Sequence, residues 1–253
     1  MRPPGPVEPT ELQRALRGGG KTGLPFLLRL FGKNEPQFCD QNMHDSPRAA
    51  SQEPDILQDI PTPTQREASS CVLETERLML RRPTLADVKA IARLANDRRI
   101  AENTRRLPYP YLQDHAVEFV RAMADDQRET VFLIEHSFAP IGMVGIDWRH
   151  EATPELGYWL GVEHWGRGFA TEAARAVIDF TFEEFEVEHL VSGARVANPA
   201  SRNILEKCGF QWSGVELHRF EALGSSTPVD CFRLSRGVWS SLKNWGSSTR
   251  RAR

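Results

Sequence analysis

The amino-acid sequence predicts an α/β (α+β) fold, in which helices flank both faces of a mixed, mostly antiparallel, seven-stranded sheet. Seven short runs have the apolar alternation or branched-residue content of strands, and four longer segments repeat apolar residues at helical spacing. Proline and glycine turn signals separate these segments and set the order β-α-α-β-β-β-α-β-α-β-β. The chain has 253 residues, 40% hydrophobic and 26% charged, which suits one domain with an appendage.

The first 70 residues are predicted to be a disordered leader. Ten of the seventeen prolines lie there, and such a composition buries too little apolar surface to offset the entropy of ordering. The stretch from Ala15 to Thr22 resembles a nucleotide P-loop, but a proline-rich segment precedes it and Pro25 follows it, so no phosphate site is predicted there. Met1 and Met43 both remain possible starts, and the role of the leader stays open.

The folded domain is predicted over residues 71–240, with a flexible basic tail over 241–253. In its first half we expect a strand at 76–82, a helix capped by Thr84, a helix at 113–126, and strands at 130–135, 141–149 and 155–160. Asp87 falls in the first turn of the helix after Thr84, where a carboxylate suits the positive helix end.

The second half is predicted to contain helices at 170–184 and 198–209 and strands at 190–196, 210–217 and 229–234. The sequence indicates both boundaries of the helix at 198–209. Asn198 is a favoured N-cap, Pro199 suits the first helical position, and Gly209 permits the left-handed residue that ends many helices.

Composition excludes several classes of function. The apolar run at 24–31 is interrupted by Arg29 and is far shorter than the roughly 20 residues of a membrane span. A net charge of −2 supplies no basic field for nucleic acid. The four cysteines and seven histidines lack metal-ligand spacing, and no C-x-x-C pair occurs. We therefore expect a cytoplasmic protein in a reducing compartment, with no metal, no membrane and no nucleic-acid partner.

A glycine-punctuated loop is the most informative feature for chemistry. Gly166 and Gly168 lie between a predicted strand and a predicted helix, an arrangement that presents backbone N–H groups and the positive helix end to an anion. The pattern is neither G-x-G-x-x-G nor a P-loop with lysine, so a dinucleotide or a nucleoside triphosphate is not predicted. On spacing alone, a tight connection without a ligand remains the alternative.

Several motifs together resemble the GNAT superfamily of N-acetyltransferases. The segment 165–170 resembles its acetyl-CoA pyrophosphate loop, 155–160 its splayed strand, 198–203 its Asn/Ser helix start and 206–210 its helix-to-strand exit. Together with the segments 74–81 and 107–110, these motifs are similar to the Rim-type branch of the superfamily. Members of this branch acetylate N-terminal amines of ribosomal proteins. The resemblance covers about residues 73–240. Trp165 stands where the family usually has Gln or Arg, which matters little to a loop that binds through backbone amides.

The resemblance implies acetyl-CoA as co-substrate and direct attack of a primary amine on the thioester. It makes Glu155 the candidate base and Ser201 the proton donor to the leaving thiol, while a solvated Glu155 and a merely capping Ser201 remain alternatives. The implied cofactor-binding residues are Trp159, Leu160, Trp165, Gly166, Arg167, Gly168, Phe169, Ala170, Thr171, Asn198 and Asn203.

The acceptor is less well specified by the sequence. We expect Arg105, Arg106, Tyr109, Tyr111, Trp212 and the segment 218–227 to wall its groove, although the aromatic residues can equally be packing. A protein amino terminus and a small-molecule amine both remain possible acceptors, and a monomer and a homodimer both remain possible assemblies. Two non-enzymatic alternatives are an acyl-CoA-binding sensor and a scaffold domain that recruits a partner through the leader.

Overall fold

The computed structural model describes residues 71–125, 129–149, 153–243 and 250–251. The predicted leader lies outside these residues. Within them, nine strands form one sheet in the order β7-β8-β6-β5-β4-β3-β2-β1-β9. The strands are β1 (Leu73–Glu74), β2 (Leu78–Arg81), β3 (Glu129–His136), β4 (Ala139–Asp147), β5 (Glu155–Leu160), β6 (His189–Arg195), β7 (Gln211–Phe220), β8 (Ser225–Ser235) and β9 (Arg250–Arg251).

Helices cover both faces of this sheet, as predicted. They are α1 (Val88–Ala95), α2 (Arg98–Ala101), α3 (Gln113–Asp125), α4 (Phe169–Glu184), α5 (Pro199–Lys207) and α6 (Arg236–Ser241), with 3-10 turns at Leu85–Asp87 and Val162–His164. Thr84 begins the first 3-10 turn and donates its backbone N–H to Asp87 Oδ2 at 2.7 Å. In the described part of the chain, no helix is both long and apolar enough to cross a membrane.

Two apolar clusters, one on each face, hold the helices to the sheet. The first contains the inward side of α4, including Phe169 and Phe182, and the second contains the buried residues of α1 and α3. Neighbouring residues of β4 belong to different clusters: Val144 lies in the first and Met143 in the second. This alternation is what a strand buried on both faces requires.

Among the described residues the sheet has nine strands rather than the predicted seven, because the two-residue strands β1 and β9 are too short to carry a periodicity. The predicted flexible tail also differs from the structure at Arg250 and Arg251, which pair with Glu74 and Leu73. The short helices α2 and α6 were not predicted either. All seven predicted strands and four predicted helices are present, and β5 has the predicted bounds.

Candidate functional site

The sheet opens between β5 and β6. These strands are parallel, and in the described chain their register is the single pair Glu155 with Val191. Ser192 Oγ donates to the Leu156 carbonyl at 2.9 Å just beyond that pair. After this point the two strands diverge, and a cavity lies between them. Its lining includes Arg105, Glu155, Tyr158, Ser192, Arg195, Ser201 and Phe220.

The opening leaves backbone groups of β5 directed toward the cavity side. Gly161 N–H donates to the Ile141 carbonyl at 2.9 Å, and the β4–β5 register pairs Met143 with Trp159. Hydrogen bonding alternates along an antiparallel pair, so the Trp159 amide faces β4 and the Leu160 amide faces the opening. Of the two predicted backbone donors, Leu160 therefore has the suitable direction.

Glu155 lies at one end of a row of charged groups. Its side chain is 23% exposed and forms an ion pair with Arg105. Arg105 Nη1 is also 3.2 Å from His218 Nδ1, and His218 Nε2 is 3.1 Å from Glu216 Oε2. Burial and the charge of Arg105 lower the pKa of His218, which favours the neutral ring that can accept from the guanidinium.

The groove predicted for the acceptor is only partly realised. Arg105 lines the cavity, but Arg106 is 9% exposed, and burial together with Arg149 lowers its pKa to about 9. Tyr111 is 2% exposed and packs in the cluster with α1 and α3. The prediction is therefore wrong for Arg106, because nothing in its sequence pattern distinguished a core side chain from a groove wall. Tyr111 takes the packing role that the sequence left open as the alternative. Tyr109 and Trp212 are exposed but do not line this cavity.

A hydroxyl pair lies across the same cavity. Asn198 caps α5 by accepting the Ser201 N–H at 3.2 Å, which fixes Ser201 in the first turn. The hydroxyls of Ser201 and Tyr158 are 3.0 Å apart. Burial raises the pKa of Tyr158, so its hydroxyl stays protonated. Asn203 is exposed on α5.

Sequence reasoning missed Tyr158 as a functional candidate. A signal for it was present, because the period-2 pattern of β5 places Leu156, Tyr158 and Leu160 on one face. Its hydroxyl is thus the one polar side-chain group on an otherwise apolar side of the strand. A buried tyrosine hydroxyl usually finds a partner, and here the partner is the first turn of α5.

The glycine loop has the geometry of an anion site. Residues Trp165–Gly168 are exposed, and Gly166 and Gly168 have φ of 72° and 81°, in the left-handed region that favours glycine. Gly168 is the N-cap of α4, whose first N–H groups have no partner within the helix. A Cβ on Gly166 would meet nothing within 4 Å, so the loop surface is open. These features fit a pyrophosphate group.

The remaining loop residues take different places. Trp165 donates its indole N–H to the Leu160 carbonyl at 2.8 Å, which ties the loop to the end of β5. Phe169 is buried, while Ala170 and Thr171 are half-buried in the first turn of α4. Arg167 is exposed, and its guanidinium lies 5.0 Å from the Phe169 ring. Phe169 therefore offers only its backbone to a ligand.

No metal site was predicted, yet three potential ligands lie together beside the cavity. Atoms of Glu216, His218 and Cys231 are all within 4.8 Å of one another. The Arg105 guanidinium contacts the same histidine ring and would repel a divalent cation. We therefore interpret this group as part of the charged row that ends at Glu155.

Known proteins match this chain in sequence and in fold. Residues 77–211 match the family described as an acetyltransferase (GNAT) domain. The chain is 25% identical over 168 residues to an uncharacterized N-acetyltransferase, p20 of Bacillus licheniformis, covering 64% of this chain and 94% of p20. It is 36% identical over 62 residues to the ribosomal-protein-serine acetyltransferase of Escherichia coli, covering 24% of this chain and 35% of that protein.

A solved structure shares the fold. Spermidine N-acetyltransferase from Vibrio cholerae, in complex with CoA and spermine, matches with a TM-score of 0.57 and 24% identity, covering 65% of this chain and 98% of that chain. Structural neighbours therefore bind CoA. The relatives also include ribosomal-protein acetyltransferases, in agreement with the predicted Rim-type branch.

Proposed function

Because the chain belongs to the GNAT acetyltransferase family, we propose that it transfers the acetyl group of acetyl-CoA directly to a primary amine. The observation that carries this proposal is the cavity in the β5–β6 opening. It brings a carboxylate, Glu155, and a hydroxyl pair, Tyr158 and Ser201, to one space. Direct transfer needs a proton acceptor and a proton donor there.

The donor is proposed to bind along the opening, with its pyrophosphate on the loop at 165–168 and on the start of α4. The exposed amides and the positive helix end suit two negative phosphates. Acetyl-CoA supplies the thioester carbonyl that the amine attacks. Asn198 and Asn203 would flank its pantetheine arm from α5, as the family resemblance implies.

Each group at the β5–β6 opening then has one task. Glu155 accepts the proton that the attacking amine must lose. The Leu160 amide donates to the thioester oxygen as negative charge develops on it. Ser201 returns a proton to the departing thiolate, with Tyr158 as its hydrogen-bond partner. A thiol with a pKa near 8.5 is a good leaving group, so this last task is the least demanding.

Tyr158→Phe and Ser201→Ala are both expected to lower kcat modestly. Loss of a proton donor to a good leaving group should cost about 10-fold, less than the roughly 100-fold or more usual for acid–base catalysis, because a thiol needs little help to leave. The KM for acetyl-CoA should change less than kcat, since neither hydroxyl contacts the loop at 165–168. Steady-state kinetics with thiol detection would measure both constants, and an unchanged kcat in both variants would remove the hydroxyl pair from the mechanism.

For the acceptor, we propose a peptide amino terminus in preference to a polyamine. Arg105 places a cation beside Glu155, and a peptide offers backbone carbonyls to which that guanidinium can donate. A polyamine instead carries further ammonium groups, which Arg105 would repel. The name of the Escherichia coli relative agrees with a protein acceptor, while the Vibrio cholerae structure keeps the polyamine as the alternative to test.

Arg105→Gln tests this acceptor preference. We expect the KM for a short peptide to rise about 10-fold, the usual loss for a charge-assisted hydrogen bond. The kcat/KM for spermidine should stay level or rise, because the repelling charge is gone. Arg98→Gln, which changes an exposed arginine of α2, is the matched control. Equal losses for both acceptors in Arg105→Gln would contradict the preference.

The proposed function itself is tested with the purified full chain. Calorimetric titration with acetyl-CoA and CoA measures donor binding, and thiol release with peptides and spermidine measures transfer. We expect binding and amine-dependent release. Binding without release over a broad set of amines, in wild type and Glu155→Gln alike, would favour the acyl-CoA sensor. No binding would overturn the proposal.

A further inference from the structure

The start of α4 carries a negative charge of its own. Glu172 lies in the first turn of this helix, and its side chain is only 9% exposed. Side chains on a helix lean toward its N-terminus, so the carboxylate points back to the glycine loop. A bare carboxylate there would oppose a pyrophosphate bound at the same helix end.

Arg77 neutralises this carboxylate. It lies between β1 and β2, and its Nε and Nη2 approach Glu172 Oε2 at 2.7 and 2.6 Å. The backbone N–H of Arg77 donates to Oε1 at 2.9 Å, and the Thr75 hydroxyl donates to the same oxygen at 2.5 Å. Three hydrogen bonds from one turn therefore satisfy the two carboxylate oxygens, and Arg77 Nη2 adds an ion-pair contact to Oε2.

The same arginine also holds the glycine loop. Arg77 Nη1 donates to the Arg167 carbonyl at 3.0 Å, and this peptide lies between the two left-handed glycines. The guanidinium lies 4.8 Å from the centre of the Phe169 ring. A Cβ on Gly168 would be 3.3 Å from Nη2, so the loop backbone and the guanidinium are in close contact.

We propose that Arg77 is a positioning residue for the pyrophosphate of the donor. It cancels the charge of Glu172 and fixes the Arg167 peptide, which leaves the loop amides to face the phosphates without a competing anion. The inference rests on the proposed function, and it assigns a role to the turn between β1 and β2, which lies apart from the cavity where the acetyl group is transferred.

The test is a double-mutant cycle in the full chain, with the dissociation constant for CoA measured by calorimetry. Arg77→Gln leaves Glu172 uncompensated and is expected to weaken CoA binding about 10-fold. In the double variant Arg77→Gln, Glu172→Gln the repelling charge is absent. Binding should then recover to within about threefold of wild type, tighter than in the single Arg77→Gln variant.

A donor without pyrophosphate, S-acetyl-N-acetylcysteamine, supplies the second readout. Its kcat/KM should be the same in Arg77→Gln as in wild type, whereas a general loss of structure would lower it. Arg98→Gln is the matched control for removal of an exposed arginine. A double variant that binds CoA as weakly as Arg77→Gln, or an Arg77→Gln variant that binds like wild type, overturns the inference alone. A wild-type chain that does not bind CoA overturns the proposed function as well.

Discussion

Glu155→Gln is expected to lower kcat/KM for the amine by about 100-fold or more, the usual range for loss of a general base. The amide keeps the size of the side chain but cannot accept the proton of the attacking amine. Binding of CoA should stay within about twofold of wild type, because the glycine loop lies at the other end of β5. Stopped-flow or steady-state thiol release, together with calorimetry for CoA, would measure the two effects separately.

The matched control is Glu163→Gln, a half-exposed carboxylate in the 3-10 turn after β5 that does not line the cavity. It should retain wild-type rates. Because Glu155 pairs with Arg105, thermal unfolding of Glu155→Gln must be compared with that of wild type, so that a rate loss is not mistaken for unfolding. A folded Glu155→Gln variant with wild-type kcat would show that the amine loses its proton elsewhere.

Local sequence signals predicted much of this site. The bounds of β5 and the caps of α5 follow from residues that neighbour one another in the chain, Asn198, Pro199 and Gly209 among them. The glycine loop is likewise a local feature. Gly166 and Gly168 can adopt a left-handed φ because glycine has no side chain. Features of this kind are readable before any tertiary contact is known.

The contacts that join distant segments were not readable in this way. Glu155, Arg105 and His218 come from three separate parts of the chain, and their charges alone do not specify which pairs form. The same holds for Arg77 and Glu172, which are 95 residues apart. The sequence likewise did not decide between packing and a groove wall for Tyr111, since a tyrosine beside prolines is equally compatible with a surface loop.

The proposed chemistry depends on β5, which pairs with β4. Gly142→Ala should disrupt this pairing. A Cβ on Gly142 would run into the Trp159 carbonyl oxygen and stand 2.8 Å from Leu160 Cα. Both are backbone atoms of β5 and cannot turn aside as a flexible side chain would. The strand must then shift at Leu160, whose amide is the proposed donor to the thioester oxygen.

We expect Gly142→Ala to lower the free energy of unfolding by about 3 kcal/mol or more, at the upper end for overpacking. Gly237→Ala is the matched control. Gly237 lies in α6, and a Cβ there would meet nothing within 4 Å. Alanine favours helix more than glycine does. The free energy of unfolding of Gly237→Ala should therefore rise by about 0.5–1 kcal/mol or equal that of wild type. Urea denaturation, monitored by circular dichroism, would measure the free energy of unfolding of both variants and of wild type. Equal values for Gly142→Ala and wild type would show that β5 can shift without loss of stability.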